Sequence, residues 1–409
     1  MADIYLGRFR GLFLSGKSYI PTKLRTKHVH VLGPTGSGKT TLLLNMIIQE
    51  MEKGSGFGVI DPKGDLVWEI LKHVPVDRFD DVVLFDPTDR ARPIGFNMLE
   101  AVDADQRSLA ASQVVLIFRK LFDYSWGPRL EHILRYAILT LLEVPRATLI
   151  DVPQLLVDKE YREEVLRFVT NPIVRAFWEG EYREITRGRD YIRTVEPILN
   201  KVGPWLAYPE IRNIVGQTRS SFDIRKIMDG EKILLVSIPE GLLGEDTSAM
   251  LGAMMVAKIQ LAAMSRIGRA TKVPFYLYVD EFQNFVTSAF EKILTQARSF
   301  GLGLVVANQY EEQLYDQLRW ALLNNVAVKL TCYFENGRHG LIYHELQDQA
   351  AVAREVNPLP PPRDGHPNLP NLVRLGKRET YGRPREAVER AILGRREARQ
   401  EGGPVYYDG

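Results

Sequence analysis

A run of eight residues near the N-terminus has the composition and order of a phosphate-binding loop. The segment Gly33-Pro34-Thr35-Gly36-Ser37-Gly38-Lys39-Thr40 fits the pattern G-x-x-x-x-G-K-S/T between an apolar run and a stretch of helical spacing. Glycines let such a loop curl so that backbone N–H groups and the following helix N-terminus face phosphate oxygens. Lys39 would contact the β- and γ-phosphates, Thr40 would bind Mg²⁺, and Thr41 would reach the α-phosphate. The motif predicts ATP and Mg²⁺ as cofactors.

Two adjacent acids follow a second apolar run, Phe275–Val279. We expect Asp280 to hold the metal, directly or through water, and Glu281 to accept a proton from the attacking water. The alternative is that both acids only favour the positive end of a following helix. Asp61 and Asp86 also end apolar runs, but each precedes a proline, which favours turn formation for them.

Short apolar runs alternate with segments of helical spacing, which predicts a parallel sheet with crossover helices. The predicted strands are Val29–Leu32, Phe57–Ile60, Val82–Phe85, Ile233–Ile238, Phe275–Val279, Leu304–Ala307 and Val326–Leu330. Predicted helices include Lys39–Met51, Thr247–Ile267, Phe285–Phe300 and Gln313–Leu323.

The alternation stops near residue 103 and resumes near residue 230. Between them the periodicity is helical, with one apolar stripe formed by Leu130, Ile133, Leu134, Ala137, Ile138, Leu141 and Leu142. We predict an α/β domain from 29–102 and 230–335, interrupted by an all-helical insertion at 103–229. Residues 1–28 would pack on the core, and 336–409 would form a C-terminal extension with a Pro-rich linker at 357–370.

Five segments together resemble the type IV secretion coupling-protein family (TraG/TraD-like), within the FtsK–HerA superfamily of DNA motors. They are His30–Asn45, Gly58–Leu66, Val82–Leu99, Ile211–Pro239 and Leu277–Gln309. The order of these segments around a helical insertion is more specific than the phosphate loop alone. The resemblance implies a RecA-like P-loop core, ATP hydrolysis coupled to DNA translocation, and a homo-oligomeric ring, usually a hexamer.

The resemblance also assigns two residues downstream of the acidic pair. Arg298 looks like an arginine finger that reaches the nucleotide of a neighbouring subunit. Gln309 looks like the residue that senses the γ-phosphate or the attacking water. Both roles suit the side chains, because an arginine donates a fork to phosphoryl charge and a glutamine can orient water.

Contacts to DNA would depend on a local basic surface, because 53 basic and 51 acidic residues leave a net charge of only +2. Lys63, in the turn after a predicted strand, is one candidate. The other is a group in the helical insertion, Arg183, Arg187 and Arg189, although interspersed acids also fit a solvated helix surface. A motor that follows the phosphate backbone binds without sequence preference.

The single cysteine, Cys332, excludes an internal disulfide framework and a zinc cluster built on cysteines, and it is expected in the core. No window reaches the roughly 18 to 20 uncharged apolar residues of a membrane span, and Met1–Phe13 lacks a signal-peptide core. Members of the family commonly carry N-terminal transmembrane helices. Because this sequence shows neither an apolar window of that length nor a signal-peptide core, we expect the protein to be cytoplasmic and without a span.

Four alternatives to a conjugation-type motor stay open. Relatives in the superfamily package viral genomes or process DNA with a nuclease, and others secrete proteins. Partners would accordingly be a relaxase, a nuclease or a secretion channel. A different class, a nucleotide-dependent assembly switch or scaffold, would not need Glu281 as a base.

Overall fold

The computed structural model describes residues 3–10, 15–100, 103–122, 125–188, 191–268, 272–286, 288–345 and 352–400, without the side chains of 10, 192, 288–289, 291–292, 297–298, 352 and 396–400. The chain divides into two compact units. The first unit comprises 1–86 and 223–377, and the second comprises 87–222 and 378–409. The sequence predicted the helical insertion between 103 and 229.

The first unit contains one sheet of eleven strands with the order β2-β1-β11-β10-β9-β3-β8-β7-β4-β6-β5. The strands are β1 (Ile4–Arg10), β2 (Ser15–Ile20), β3 (Val29–Leu32), β4 (Gly56–Asp61), β5 (Val82–Phe85), β6 (Ile233–Ser237), β7 (Phe275–Val279), β8 (Leu302–Asn308), β9 (Val328–Glu335), β10 (Arg338–Glu345) and β11 (Val352–Pro358).

Seven of these strands, from β9 to β5 in the sheet order, are parallel to their neighbours. In β3 to β8 every residue is buried, as expected for parallel strands covered on both faces. All seven were predicted from their apolar runs, although β9 begins two residues later and extends further. The α/β fold with a mainly parallel sheet is confirmed.

Four antiparallel strands extend the sheet beyond β9, and the sequence did not predict them. Strand β10 has the sequence RHGLIYHE, in which polar residues obscure the alternation of apolar and polar residues that would indicate a half-buried strand. Strand β11 contains Arg354 and Glu355. The residues after 336, expected as an extension, thus contribute two strands to the sheet. At the N-terminal end, Ile4, Leu6, Ile20 and Leu24 lie in the core of the first unit.

Helices of the first unit cover the sheet. They are α1 (Thr22–Arg25), α2 (Lys39–Glu52), α3 (Asp65–Lys72), α12 (Ile224–Asp229), α13 (Glu240–Leu243), α14 (Glu245–Met264), α15 (Ser288–Gln296) and α16 (Asp316–Asn325), while α17 (Leu369–Tyr381) contains the boundary between the units.

Helix α14 is long and apolar enough to cross a membrane by length and composition. Within the fold, however, 72% of its most apolar window is buried. Gly252 on this helix contacts Phe285 so closely that a Cβ there would lie 2.2 Å from the ring. Such burial is that of a core helix.

The second unit is helical in its described part. Its helices are α4 (Arg107–Leu121), α5 (Pro128–Leu141), α6 (Asp151–Val157), α7 (Lys159–Val165), α8 (Pro172–Ala176), α9 (Tyr182–Arg187), α10 (Tyr191–Ala207), α11 (Pro209–Val215) and α18 (Arg385–Gln400). The predicted stripe on α5 is buried at every position, and Trp178 donates a 2.7 Å hydrogen bond from Nε1 to Thr140. The helical character of this segment follows from its sequence periodicity.

Candidate functional site

The sheet brings three functional strand ends to the same edge. Strand β8 lies between β3 and β7, and all three are parallel. Leu32 pairs with Asn308, and Val279 pairs with Val306. The phosphate loop after β3, Gln309 after β8 and the acidic pair after β7 therefore follow at the carboxyl edge, where α/β sheets place their ligands.

The loop that follows β3 has the backbone geometry of an anion cradle. Gly38 has φ 96° and caps the N-terminus of α2, so the first N–H groups of that helix face the loop. Gly33 approaches its surroundings so closely that a Cβ would lie 2.5 Å from Ser37 Oγ and 2.6 Å from the carbonyl oxygen of Cys332. The sequence predicted a glycine-rich turn at this place, and the close approach explains why glycine is needed.

The side chains of the loop fit a phosphate ligand. Lys39 is buried, and its Nζ donates to the carbonyl oxygens of Gly33 at 2.5 Å and Pro34 at 3.3 Å, which are weak partners for an ammonium group. Within the described part of the chain, the buried Ser37 Oγ has no hydrogen-bond partner. Thr40 is exposed beside them. A buried cation and an unpaired donor are the groups that a triphosphate would satisfy.

Asp280, directly after β7, is a buried carboxylate, and the charge of nearby Lys63 does not offset its burial. Burial, and then the charges of Glu281 and Asp61, raise its pKa to about 6. Its Oδ1 accepts a 3.0 Å hydrogen bond from the N–H of Glu281. A carboxylate destabilised in this way binds a divalent cation favourably, because the cation supplies the missing positive charge.

Glu281 is held in place from three directions. Its Oε1 accepts hydrogen bonds from Lys63 Nζ at 2.8 Å and Gln309 Nε2 at 3.3 Å, and its Oε2 accepts one from Gln283 Nε2 at 3.0 Å. Burial alone would raise its pKa, but the bonds from Gln283, Lys63 and Gln309 together lower it. The carboxylate is therefore ionised, as a proton acceptor must be.

The backbone at Glu281 is in the left-handed region, with φ 44° and ψ 48°. Left-handed backbone at a residue other than glycine costs energy, and such residues concentrate at functional sites. Hydrogen bonds from Lys63, Gln283 and Gln309 hold the side chain of this residue. They also fix the carboxylate at the end of the sheet.

Two predicted site residues are brought directly together. Gln309 follows β8, and its amide nitrogen donates a hydrogen bond to Glu281, while its role in sensing the γ-phosphate or the attacking water stays a prediction. Lys63, predicted as a DNA contact, instead contacts Glu281, while half of its side chain (53%) stays exposed. That Lys63 contacts DNA stays a prediction. If it does, it would contact DNA from a position beside Glu281.

The other two strand-end aspartates have structural partners, and for Asp61 these include the turn that the sequence predicted. Asp61 accepts hydrogen bonds from the N–H groups of Lys63 and Val67 and so fixes the turn into α3. Asp86 pairs with Arg374 at 2.8 Å.

Arg298 and Arg189 lie partly or wholly outside the described residues. Arg298 lies in the short 3-10 helix Ala297–Phe300, but its side chain is outside the described residues, as is all of Arg189. Arg183 and Arg187 are exposed on α9, and Arg187 pairs with Glu184 at 3.1 Å. Tyr182, their aromatic neighbour, is buried and donates to Leu156, so it does not present its ring to a ligand.

Two contributors were missed by the sequence analysis. Gln283 holds Glu281, and His30 in β3 donates a 2.7 Å hydrogen bond from Nε2 to Asn308 Oδ1 at the end of β8. A polar histidine inside an apolar four-residue strand was the available signal. Buried polar groups in such a strand require a partner on a neighbouring strand.

Among curated sequences no significant match is found. The plasmid coupling protein TrwB in complex with the non-hydrolysable ATP analogue ADPNP matches with TM-score 0.59 and 13% identity over 85% of this chain and 89% of TrwB. VirB4 of Thermoanaerobacter pseudethanolicus matches with TM-score 0.57 and 13% identity over 89% of this chain and 98% of VirB4.

At these identities the solved structures establish the shared fold. The family of the type IV secretion-system coupling protein DNA-binding domain matches residues 15–339, which is more than half of the chain. The resemblance noted in the sequence is thereby confirmed. The chain belongs to the type IV secretion-system coupling protein DNA-binding domain family, a family of P-loop ATPases.

Proposed function

We propose that this protein binds ATP with Mg²⁺, hydrolyses it, and uses the energy to move DNA. One observation carries the proposal. Gln309 and Glu281, from two different strands, meet at 3.3 Å on the carboxyl edge that also carries the phosphate loop. A buried, hydrogen-bonded glutamate in left-handed backbone beside a phosphate cradle is the kind of residue that concentrates at functional sites. The crystallised TrwB complexes with ADPNP and with ADP and Mg²⁺ support the choice of ligands.

Each residue of the site has its own role in the proposed hydrolysis of ATP. Lys39 and the N–H groups of the loop bind the phosphates, and Thr40 and Asp280 hold Mg²⁺, which neutralises charge on the phosphate oxygens when bound. The oxygen of a water molecule attacks the γ-phosphorus while Glu281 accepts a proton from that water. The bond between the γ-phosphorus and the oxygen that bridges it to the β-phosphate breaks, which leaves ADP and phosphate. Gln309 orients that water. Arg298 would stabilise the developing charge from a neighbouring subunit.

The coupling to DNA is supported by the family and by where Lys63 lies. Its ammonium group contacts Glu281 and is half exposed, so a phosphate that attracts Lys63 would loosen its hold on the glutamate. Lys63 thereby offers a link between a polyanion and turnover. The alternative surface is Arg183 and Arg187 on α9, together with Arg189. A homo-oligomeric ring, with a relaxase, nuclease or secretion channel as partner, completes the proposal, and the cytoplasm is the proposed location.

Nucleotide and DNA binding test the two halves of the proposal separately. Lys39→Ala is expected to abolish binding of ADPNP with Mg²⁺, because the loop loses its buried cation. DNA binding is expected to be independent of sequence and to weaken with salt, with a slope near −0.9 for each phosphate neutralised on duplex DNA.

Variants locate the DNA surface. Lys63→Ala is expected to lower DNA affinity and DNA-stimulated turnover but not ADPNP binding, and Arg183→Ala with Arg187→Ala is the rival pair. Wild-type protein that binds ADPNP but no DNA at low salt would reject the motor and leave a nucleotide-dependent switch.

A further inference from the structure

An aromatic pair lies beside the phosphate loop with no role in the proposed chemistry. Phe334 near the end of β9 and His339 near the start of β10 are paired across the hairpin, with ring centroids 4.7 Å apart and planes at 46°. Both residues are exposed, and Phe334 is 56% accessible. The Asn336-Gly337 turn, with φ 50° and 75°, joins the two strands tightly, which fixes the pair in register.

The pair is on the face of the sheet that α2 covers. Side chains alternate along a strand, so Phe334 shares a face with Cys332, and His339 shares it with Leu341. Cys332 and Leu341 pack in the core with apolar residues of α2. Nearer the turn of the hairpin, His339 lies close to the N-terminus of α2. A Cβ on Gly38, the N-cap residue of that helix, would lie 3.4 Å from His339 Nδ1. The aromatic pair therefore lies beside the N-terminus of α2, where the phosphates bind.

The direction of a bound nucleotide follows from the order of the strands. Glu281 and Gln309 follow β7 and β8, which lie on one side of β3, while β9 and β10 lie on the other side. The γ-phosphate must face Glu281, because the attacking water is activated there. The nucleoside end of the triphosphate then points away from β8, toward the hairpin that carries Phe334 and His339.

We propose that Phe334 and His339 form the platform for the base of the nucleotide. This inference rests on the proposed function and deepens it, because it adds the base to a site so far defined by phosphates. Exposed aromatic rings stack on the π-face of a purine, and an imidazole can also donate to or accept from its edge. The phosphate loop provides affinity for any triphosphate, while the pair provides the preference for a nucleotide over an inorganic polyphosphate.

Calorimetric titration with two ligands tests the platform. ADPNP with Mg²⁺ contains the base, and inorganic tripolyphosphate with Mg²⁺ lacks it. Phe334→Ala and His339→Ala are each expected to weaken ADPNP binding roughly 5- to 50-fold, in line with the loss of one stacking contact, and to change tripolyphosphate binding less than about 2-fold. Phe334→Trp, which keeps an aromatic ring, should retain ADPNP affinity. Phe168→Ala removes an exposed phenylalanine of the second unit and serves as the matched control, with no expected effect on either ligand.

Tripolyphosphate binding also reports whether the loop of each variant is intact. Equal weakening of both ligands would overturn the platform, because it would mean that the rings support the loop or contact phosphate. Wild-type affinity for ADPNP in both alanine variants would overturn it as well. Failure of the wild type to bind either ligand would instead reject the proposed function itself.

Discussion

At the scale of single residues, the buried carboxylate of Asp280 is destabilised in the absence of a cation. Its pKa is raised from 3.8 to about 6, chiefly by burial, so the charged form is less favourable in the folded protein than in the unfolded chain. A raised carboxyl pKa lowers stability as the pH rises through this interval. Above about pH 6 the protein therefore retains an electrostatic cost that bound Mg²⁺ would offset.

We predict that Asp280→Asn stabilises the metal-free protein at pH 8, by on the order of 1–3 kcal/mol, because it removes the buried charge and keeps the shape of the side chain. The gain should vanish near pH 4, where Asp280 is protonated in the folded state. Urea unfolding without Mg²⁺ measures this change.

Asp86→Asn is the matched control at another strand end. It loses the charge that pairs with Arg374 at 2.8 Å, so the free energy of unfolding should fall, by roughly 1 kcal/mol. A loss of stability in both variants would contradict the account of Asp280 as a carboxylate without sufficient compensation.

At the scale of the elements, two buried histidines join β3 to its surroundings. His28 Nε2 donates to the carbonyl oxygen of Leu294 at 3.0 Å, and its Nδ1 accepts from the N–H of Leu304 at 3.0 Å. His30 donates to Asn308 on β8. Burial, as the largest cause, lowers the pKa of each histidine from 6.5 to about 4. Both are therefore neutral in the folded protein at neutral pH.

We predict that the free energy of unfolding falls as the pH drops from 6.5 to 4. A depressed histidine pKa contributes stability above the unfolded value and loses it below, at up to about 1.4 kcal/mol per pH unit for each histidine. His30→Gln should be less stable at pH 7 but should show a shallower fall. Equal slopes in urea unfolding of the two proteins between pH 6.5 and 4 would contradict this assignment.

The parallel centre of the sheet could be predicted from the sequence, and its antiparallel side could not. Strands such as β5 and β7 are continuous apolar runs, because both of their faces are buried. By contrast, β10 carries Arg338, His339 and His344 among its apolar residues. Its assignment depends on pairing with β9 and β11, which a periodicity within eight residues does not reveal.

Some residues of the candidate site could likewise be predicted from the sequence, and some of the contacts between them could not. The phosphate loop and Asp280–Glu281 are local motifs, so they could be predicted from the sequence directly, and Gln309 was predicted through the resemblance. The contact between Lys63 and Glu281 joins positions 218 residues apart, and only the order of β4 and β7 in the sheet brings them together. Such contacts are determined by the order of the strands in the sheet, and the spacing of residues along the sequence does not predict them.

At the scale of the whole molecule, the account requires that subunits complete one another's sites. Arg298 is predicted to reach the nucleotide of a neighbour, so a ring should contain active interfaces wherever an intact loop meets an intact arginine. Mixing Arg298→Ala protein with Lys39→Ala protein should therefore restore part of the ATPase activity that each variant lacks alone. The ATPase rate at a series of mixing ratios measures this recovery. Mixed rings that remain inactive would contradict action between subunits.

The central claim is that Glu281 is the base of an ATPase that DNA stimulates. The most direct measurement is the rate of ATP hydrolysis by wild type and Glu281→Gln, with and without DNA, alongside ADPNP binding by both. We expect that DNA raises the wild-type rate, and that Glu281→Gln binds ADPNP as the wild type does but hydrolyses ATP at least about 10²-fold more slowly. Hydrolysis by Glu281→Gln at the wild-type rate would contradict it.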